Sequence, residues 1–365
     1  MRTIDPLTQL GNEGVSRWLT DLGSEGSDES LRHSVRAGEV TGAVHGPESL
    51  LERVTSNRRH RKQLSELRAH EITPAAAVTE LLATDARRAC SILRPVYEQS
   101  RARDGYVTIS VDPRWGNDMV DAAITLWHSV DQPNLLVRLP PTEDGFGAIT
   151  ELLARGIGVD SGPVITLEQH DAVTDGWLAG LVRAHEAGRD LSRLLAVVSV
   201  PIEPVGSECV RELDAASSTR HPRLGSEVAL AKARLLFRNH EERLTDRRWR
   251  ELADLGAQPQ RIRWTHLEPA TFLSENEYRY VEELVVWDAI ASMRRRTLRR
   301  FAERGMPRGD AVTDTQREAE RVFDSLESLG VNHEAVNEAV CDRLTHDHVS
   351  TWDELYETAR HGVGT

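Results

Sequence analysis

From residue 105 onward, short runs rich in valine, isoleucine and leucine alternate with stretches of ten to twenty residues at helical spacing. Residues 106–111, 134–139, 164–166, 194–200 and 261–267 read as strands. Helices are expected around 117–130, 145–155, 168–187, 207–217 and 226–255. Strands separated by whole helices cannot pair as hairpins. They pair in parallel, and each crossover helix packs back over the sheet. Repeated over about 200 residues, this alternation allows a (β/α)8 barrel or an open doubly wound sheet. No Gly-x-Gly-x-x-Gly turn follows the first strand, so the dinucleotide-binding form of the open sheet is disfavoured. The expected fold is therefore α/β, one (β/α)8 TIM barrel domain over residues 1–365, with extra N- and C-terminal helices. Residues 1–34 supply an N-terminal helix, the strand-like Trp18-Leu19-Thr20-Asp21-Leu22 and a polar loop. Residues 48–104 are mostly helical, and residues 306–365 form C-terminal helices packed on the barrel.

Composition narrows the function. The formal net charge is −13, which disfavours nucleic acid as a partner because phosphate contact calls for a basic face. No uncharged apolar run is long enough to cross a bilayer, so no membrane association is expected. Met1-Arg2-Thr3-Ile4-Asp5 lacks the apolar core of a secretion signal, and a cytoplasmic location is the expectation. Cys90, Cys209 and Cys341 are odd in number and far apart, with neither disulfide nor zinc spacing. Of 45 basic residues only Lys62 and Lys232 are lysines, which leaves 43 arginines and almost no amine nucleophiles. Lys62 sits in the basic run 57–62, read as solvated, and Lys232 in the amphipathic stretch 228–237, read as an outer helix.

Several segments resemble the longer bacterial transaldolases. Trp18-Leu19-Thr20-Asp21-Leu22 is similar to that family's first-strand motif, and residues 89–97 to the helix before its third strand. Val107-Thr108-Ile109-Ser110-Val111-Asp112-Pro113-Arg114 resembles the third strand, commonly Ser-Ile-Glu-Val-Asp-Pro-Arg. Pro133-Asn134-Leu135-Leu136-Val137-Arg138-Leu139-Pro140-Pro141-Thr142 resembles Pro-Asn-Leu-x-Ile-Lys-Ile-Pro-Ala-Thr. Arg308-Gly309-Asp310-Ala311-Val312 and Thr351-Trp352-Asp353-Glu354-Leu355 match near the C-terminal end. The resemblance spans nearly the whole chain. It implies a barrel with its site at the C-terminal ends of the strands, and in the family a lysine Schiff base there.

Residue by residue, the resemblance places other side chains where that chemistry sits. Arg138 stands at the lysine position, and a guanidinium stays protonated and forms no imine. Thr20 stands where the family has its first-strand aspartate, with Asp21 one place later; Ser110 replaces the third-strand glutamate. Asp160-Ser161-Gly162 replaces Asn-x-Thr, and Glu203-Pro204 replaces a Ser-Arg phosphate clamp. On the seventh strand the stretch is Trp264-Thr265-His266-Leu267-Glu268. The mouth so implied gathers His45, Glu48, Ser110, Arg138, Asp160, Glu203, His266 and Glu268, with Thr20 and Trp264 as further ligand contacts. Arg138 either binds an anionic group or oxyanion of a ligand, or closes the pocket by pairing with Asp160 or Glu203. His45 and His266 are candidate proton carriers; Asp160, Glu203 and Glu268 are candidate bases or cation-binding groups. His266 and Glu268, two apart on one strand, share a face and could ligate a metal with His45 or Asp160. A simple hydrogen-bonded pair is the preferred reading, so neither metal nor cofactor is expected. Ser110 is read as filling the space left by glutamate, and His346-Asp347-His348 as a solvated turn.

The favoured functional expectation is a divergent transaldolase-like enzyme without the Schiff base. It would perform lysine-independent acid–base chemistry on a non-phosphorylated small molecule, aminated ones included, of a kind found in specialised metabolism. The alternatives are a catalytically silent barrel that binds a ligand or partner, and a residual transaldolase. The sequence leaves the oligomeric state open.

Overall fold

A computed structural model describes residues 5–20, 22, 28–216, 223–269 and 277–361. Eight parallel strands close into a barrel in sequence order, each paired with the next and β8 with β1. They are β1 (Ser16–Leu19), β2 (Gly42–His45), β3 (Val107–Ser110), β4 (Leu135–Leu139), β5 (Gly158–Ser161), β6 (Ala196–Pro201), β7 (Arg261–Thr265) and β8 (Ile290–Met293). Around them lie α1 (Pro6–Asn12), α2 (Asp28–Arg36), α3 (Pro47–Ser56), α4 (Arg58–Ala69), α5 (Pro74–Gln99), α6 (Met119–Val130), α7 (Glu143–Ala154) and α8 (Leu167–Glu186). The series continues with α9 (Glu203–Ala216), α10 (Leu224–Arg243), α11 (Arg247–Asp254), α12 (Arg279–Glu283), α13 (Arg295–Arg304), α14 (Gln316–Ser328) and α15 (His333–His361). The closed (β/α)8 barrel expected from the alternation is the observed fold.

Local chemistry sets the joints. The hydroxyl of Thr166 accepts from the Gln169 backbone N–H, and the Gln169 side chain answers the Thr166 N–H, which starts α8 with a capping box. That segment, expected as strand 164–166, is instead the loop after β5, because Gly162-Pro163 ends the strand and Thr166 opens a helix. The long helix expected over 226–255 is broken between α10 and α11, where Asp246 caps the second piece. Asp21 of the first-strand motif lies outside the described residues.

Strand alternation separates two interiors. Outward side chains such as Val107, Ile109, Val137, Leu139, Val198, Ile262 and Trp264 pack against the helices. Inward side chains at the N-terminal half of the barrel, Trp18, Val44, Tyr106, Leu136, Val197 and Ile290, form a separate apolar plug. One step towards the C-terminal ends, the inward positions become polar. The helix α15 packs over that side, burying Trp352 and Leu355 near α3 and α5, and Val336 and Val340 near α9. No helix among the described residues is long and apolar enough to cross a membrane.

Candidate active site at the barrel mouth

The polar layer begins with Arg138 on β4. Its Cα is in register with Ser110 on one side and Asp160 on the other. Arg138 Nε donates to Asp160 Oδ2 at 3.1 Å, and Arg263 Nη2 on β7 reaches the same oxygen at 2.8 Å. Ser199 Oγ on β6 donates to Asp160 Oδ1 at 2.5 Å and accepts from Arg263 Nε at 2.9 Å. One buried carboxylate thus orders two guanidinium groups. Arg263 is completely buried with its guanidinium 5.6 Å from the Trp18 ring, whereas the Arg138 side chain is 23% exposed towards solvent. Of the two internal pairings open to Arg138 from sequence, Asp160 is the one formed. Glu203 instead accepts from Tyr280 Oη at 2.8 Å and Ser207 Oγ at 2.6 Å, in the first turn of α9.

Around this floor several buried hydroxyls have no hydrogen-bond partner among the described residues. They are Thr20, Thr108, Ser110 and Ser292, and Arg263 Nη1 shares their condition. Buried polar atoms are nearly always satisfied, so such a group marks room for a polar ligand or ordered water. Thr20, Thr108 and Ser292 share the inward parity of Trp18, Tyr106 and Ile290.

The rim adds an acid–base pair. Glu48, in the first turn of α3, meets His348 of α15, with Oε1 3.1 Å from Nδ1. An indole nitrogen can only donate, and Trp352 Nε1 donates to His348 Nε2 at 3.2 Å. The neutral ring therefore carries its proton on Nδ1 and donates it to Glu48. The enclosing walls of the mouth oppose ionisation of Glu48, but the His348 hydrogen bond and charge, together with Arg138, hold its pKa below the usual value. The side chain itself is 62% exposed, so solvent weakens each of these effects. His266 is likewise exposed within the concave mouth. Desolvation by the surrounding protein lowers its pKa, helped by the charges of Arg138 and Arg294 and opposed by Glu268 and Glu48.

Four of the expected positions differ in the structure. His45 does not reach the mouth: it follows Val44, whose side chain belongs to the inner plug, so the His45 ring turns outwards. There it is fully buried, Nε2 3.7 Å from Asp85, which also pairs with His60 at 2.8 Å and Arg53 at 3.1 Å. Burial pushes the His45 pKa down to about 4 despite Asp85. Trp264 also faces outwards, packing on Phe237 and donating from Nε1 to Leu284 O at 3.1 Å; Arg263 takes the inward place beside it. His266 and Glu268 share no strand face, because β7 stops at Thr265 and His266 adopts a left-handed φ of 54°. Glu268 accepts from Arg294 N at 3.1 Å and Thr297 Oγ1 at 2.8 Å, closing the N-terminus of α13. His346-Asp347-His348 is part of α15 and not a turn. Among the described residues no three His, Cys, Asp or Glu side chains are placed to hold a metal ion.

The structure therefore brings together Arg138, Asp160, Ser110 and Thr20 at the floor, and Glu48 and His266 at the rim. Sequence reasoning missed Arg263 and Ser199, and it read His348 only as part of a solvated turn. Arg261-Ile262-Arg263-Trp264-Thr265 alternates polar and apolar residues, and that period of two was the signal for Arg263. His348 gave none, since only the path of α15 carries it to Glu48. Neither lysine lies on a barrel strand: Lys62 is on α4, 3.6 Å from Glu66, and Lys232 is on α10, where burial lowers its pKa.

Comparison with known proteins agrees with the barrel. A family model described as transaldolase/fructose-6-phosphate aldolase matches residues 26–359. The chain is 33% identical over 364 residues to a protein of Frankia alni named transaldolase, covering 99% of this chain and 98% of that one. A transaldolase of Thermobifida fusca is 34% identical over 359 residues, with 96% of each chain covered. A transaldolase of Saccharopolyspora erythraea is 34% identical over 368 residues, with 99% and 98% covered.

Proposed function

The chain belongs to the transaldolase/fructose-6-phosphate aldolase family, and from that premise we propose that it is an enzyme of that barrel which acts on a small molecule without a lysine imine. One observation carries the reading. The inward position of β4, where the resemblance puts the family's Schiff-base lysine, holds Arg138 clamped to Asp160, and no barrel strand contains a lysine. A guanidinium stays protonated and offers no lone pair for attack on a carbonyl. It can polarise a carbonyl oxygen or hold the oxyanion that follows, because its charge and its donors are fixed before the reaction begins.

In this mechanism Asp160, Arg263 and Ser199 hold Arg138 in one orientation. The Nη groups of Arg138, which have no partner among the described residues, bind the developing negative charge. Proton transfer falls to the rim. Glu48 is kept ionised beside its His348 donor and can take a proton, while His266 is kept largely neutral and accessible. The reaction class that fits is proton transfer next to a polarised carbonyl. Specialised metabolism is one setting for such a remodelled barrel.

The names of the relatives favour a second reading, a retained transaldolase. Borohydride reduction in the presence of fructose 6-phosphate separates the two. Our reading expects intact-mass spectra without the ketose adduct, and a trapped adduct on either lysine would overturn it. A silent binding barrel is the third reading. It predicts that Arg138→Gln alters ligand binding alone, with no turnover to lose.

A further inference from the structure

The floor of the mouth contains two arginines and one aspartate, so its formal charge is +1. Asp160 has little capacity left, since Oδ1 serves Ser199 and Oδ2 serves both guanidinium groups. Arg138 retains its Nη fork, and a planar fork matches a carboxylate through two parallel hydrogen bonds. In register with it on β3, Ser110 is 1% exposed and its hydroxyl lacks a partner among the described residues. A hydroxyl group of a ligand would satisfy it.

A phosphate is poorly served by the same mouth. Helix N-termini are the usual phosphate cradles at the C-terminal face of such barrels. Here Glu268 already takes the Arg294 N–H at the start of α13, and Glu203 fills the first turn of α9. A phosphate ester carries about −1.5 to −2 charges at pH 7. That exceeds the floor's single positive charge and leaves the excess facing Glu48.

Resting on the reading that the mouth holds a small molecule, we propose that its ligand is a hydroxylated carboxylate, a sugar acid or shorter hydroxy acid, whose carboxylate sits on Arg138 and one of whose hydroxyls meets Ser110. This departs from the cation-binding role expected of Glu203 and Glu268, because both carboxylates are engaged at helix starts and the inner charge is positive.

The test is isothermal titration of the full chain with three head groups on two carbon skeletons. D-glycerate and D-gluconate are the acids, glycerol and sorbitol the neutral matches, and glycerol 3-phosphate and sorbitol 6-phosphate the phosphate matches. On at least one skeleton the acid should bind at least tenfold more tightly than both its matches. Arg138→Ala and Arg138→Gln, each checked for native circular dichroism, should abolish that preference. Ser110→Ala should weaken the acid several-fold, and Arg247→Ala, which removes an exposed charge elsewhere, should leave it intact. The proposal is overturned if the phosphate binds as tightly as the acid, if neither acid exceeds its polyol, or if both Arg138 variants keep the preference. Borohydride trapping on the same samples keeps the two failures apart. Phosphate preference without an adduct removes only the carboxylate assignment, and an adduct removes the imine-free reading itself.

Discussion

Replacing Asp160 by asparagine keeps the shape of the floor and removes its only negative charge. The carboxylate is fully buried and lies 2.8 Å from Arg263 Nη2 and 3.1 Å from Arg138 Nε. At an effective dielectric constant of about 20, a unit-charge pair at such distances attracts by roughly 5–6 kcal/mol. The cost of taking the ions out of water offsets much of this while both partners are present. Removing one partner leaves that cost uncompensated, and losses of about 3–5 kcal/mol are typical. Arg138 can turn towards solvent, but Arg263 is enclosed and cannot. The expected loss is therefore about 3–5 kcal/mol, most of it from Arg263. An unfolding entropy of about 2.1 cal/mol/K per residue makes this a fall in Tm of roughly 4–7 °C for a chain of this length. Scanning calorimetry at a fixed scan rate measures it. Arg263→Met alone should also destabilise, while the double variant Asp160→Asn/Arg263→Met should be more stable than the two single losses added together. If Asp160→Asn stayed within about 1 °C of the parent, or the two changes were simply additive, the coupled floor would be refuted.

Other consequences can be checked in parallel. Arg138→Lys returns an amine to β4, and borohydride with fructose 6-phosphate should then give an adduct that maps to this residue, where the parent chain gives none. Outside the barrel, His170 and His240 form a buried pair 3.4 Å apart, and burial pushes their pKa values down to about 4 and about 3. Both are neutral when folded and bind protons near pH 6.5 when unfolded, so their stabilisation is complete above pH 6.5 and is lost as pH falls towards 4. The Tm should decline across that window, and His240→Leu should flatten the decline. Trp264→Phe should leave ligand affinity unchanged, because the indole faces the helices; loss of its bond to Leu284 O should cost on the order of 1–2 kcal/mol in urea unfolding. His348→Ala leaves the buried Trp352 indole N–H without its acceptor and should cost on the order of 1–3 kcal/mol in urea unfolding, and it should shift the pH dependence of any turnover that Glu48 supports.

How far the sequence could be read depended on what each feature needed. A strand buried on both faces shows as a short β-branched run, so β3, β4, β6 and β7 were legible, and the motifs around residues 107–114 and 133–142 fall on β3 and β4 with Ser110 and Arg138 in register. β2 and β8 were less visible, since Gly42-Ala43-Val44-His45 and Ile290-Ala291-Ser292-Met293 each hold a single β-branched residue. Errors at the site were errors of parity. His45 and Trp264 are each one residue from an inward position, and on a strand one residue is the opposite face. The strand parity drawn on for His266 and Glu268 lapsed as soon as the backbone left β7.

By itself the sequence determined that strands and helices alternate into a barrel, and that a guanidinium, not an amine, stands on β4. Those facts are local: they depend on residue types and spacing within a dozen positions. Only the tertiary structure decided that Arg138 shares Asp160 with Arg263, 125 residues away in sequence. It alone brought His348 to Glu48 across 300 residues, and turned Glu203 and Glu268 into helix-end partners. Charge balance is a sum over neighbours in space, so a mouth that looked acidic along the chain proved cationic at its floor.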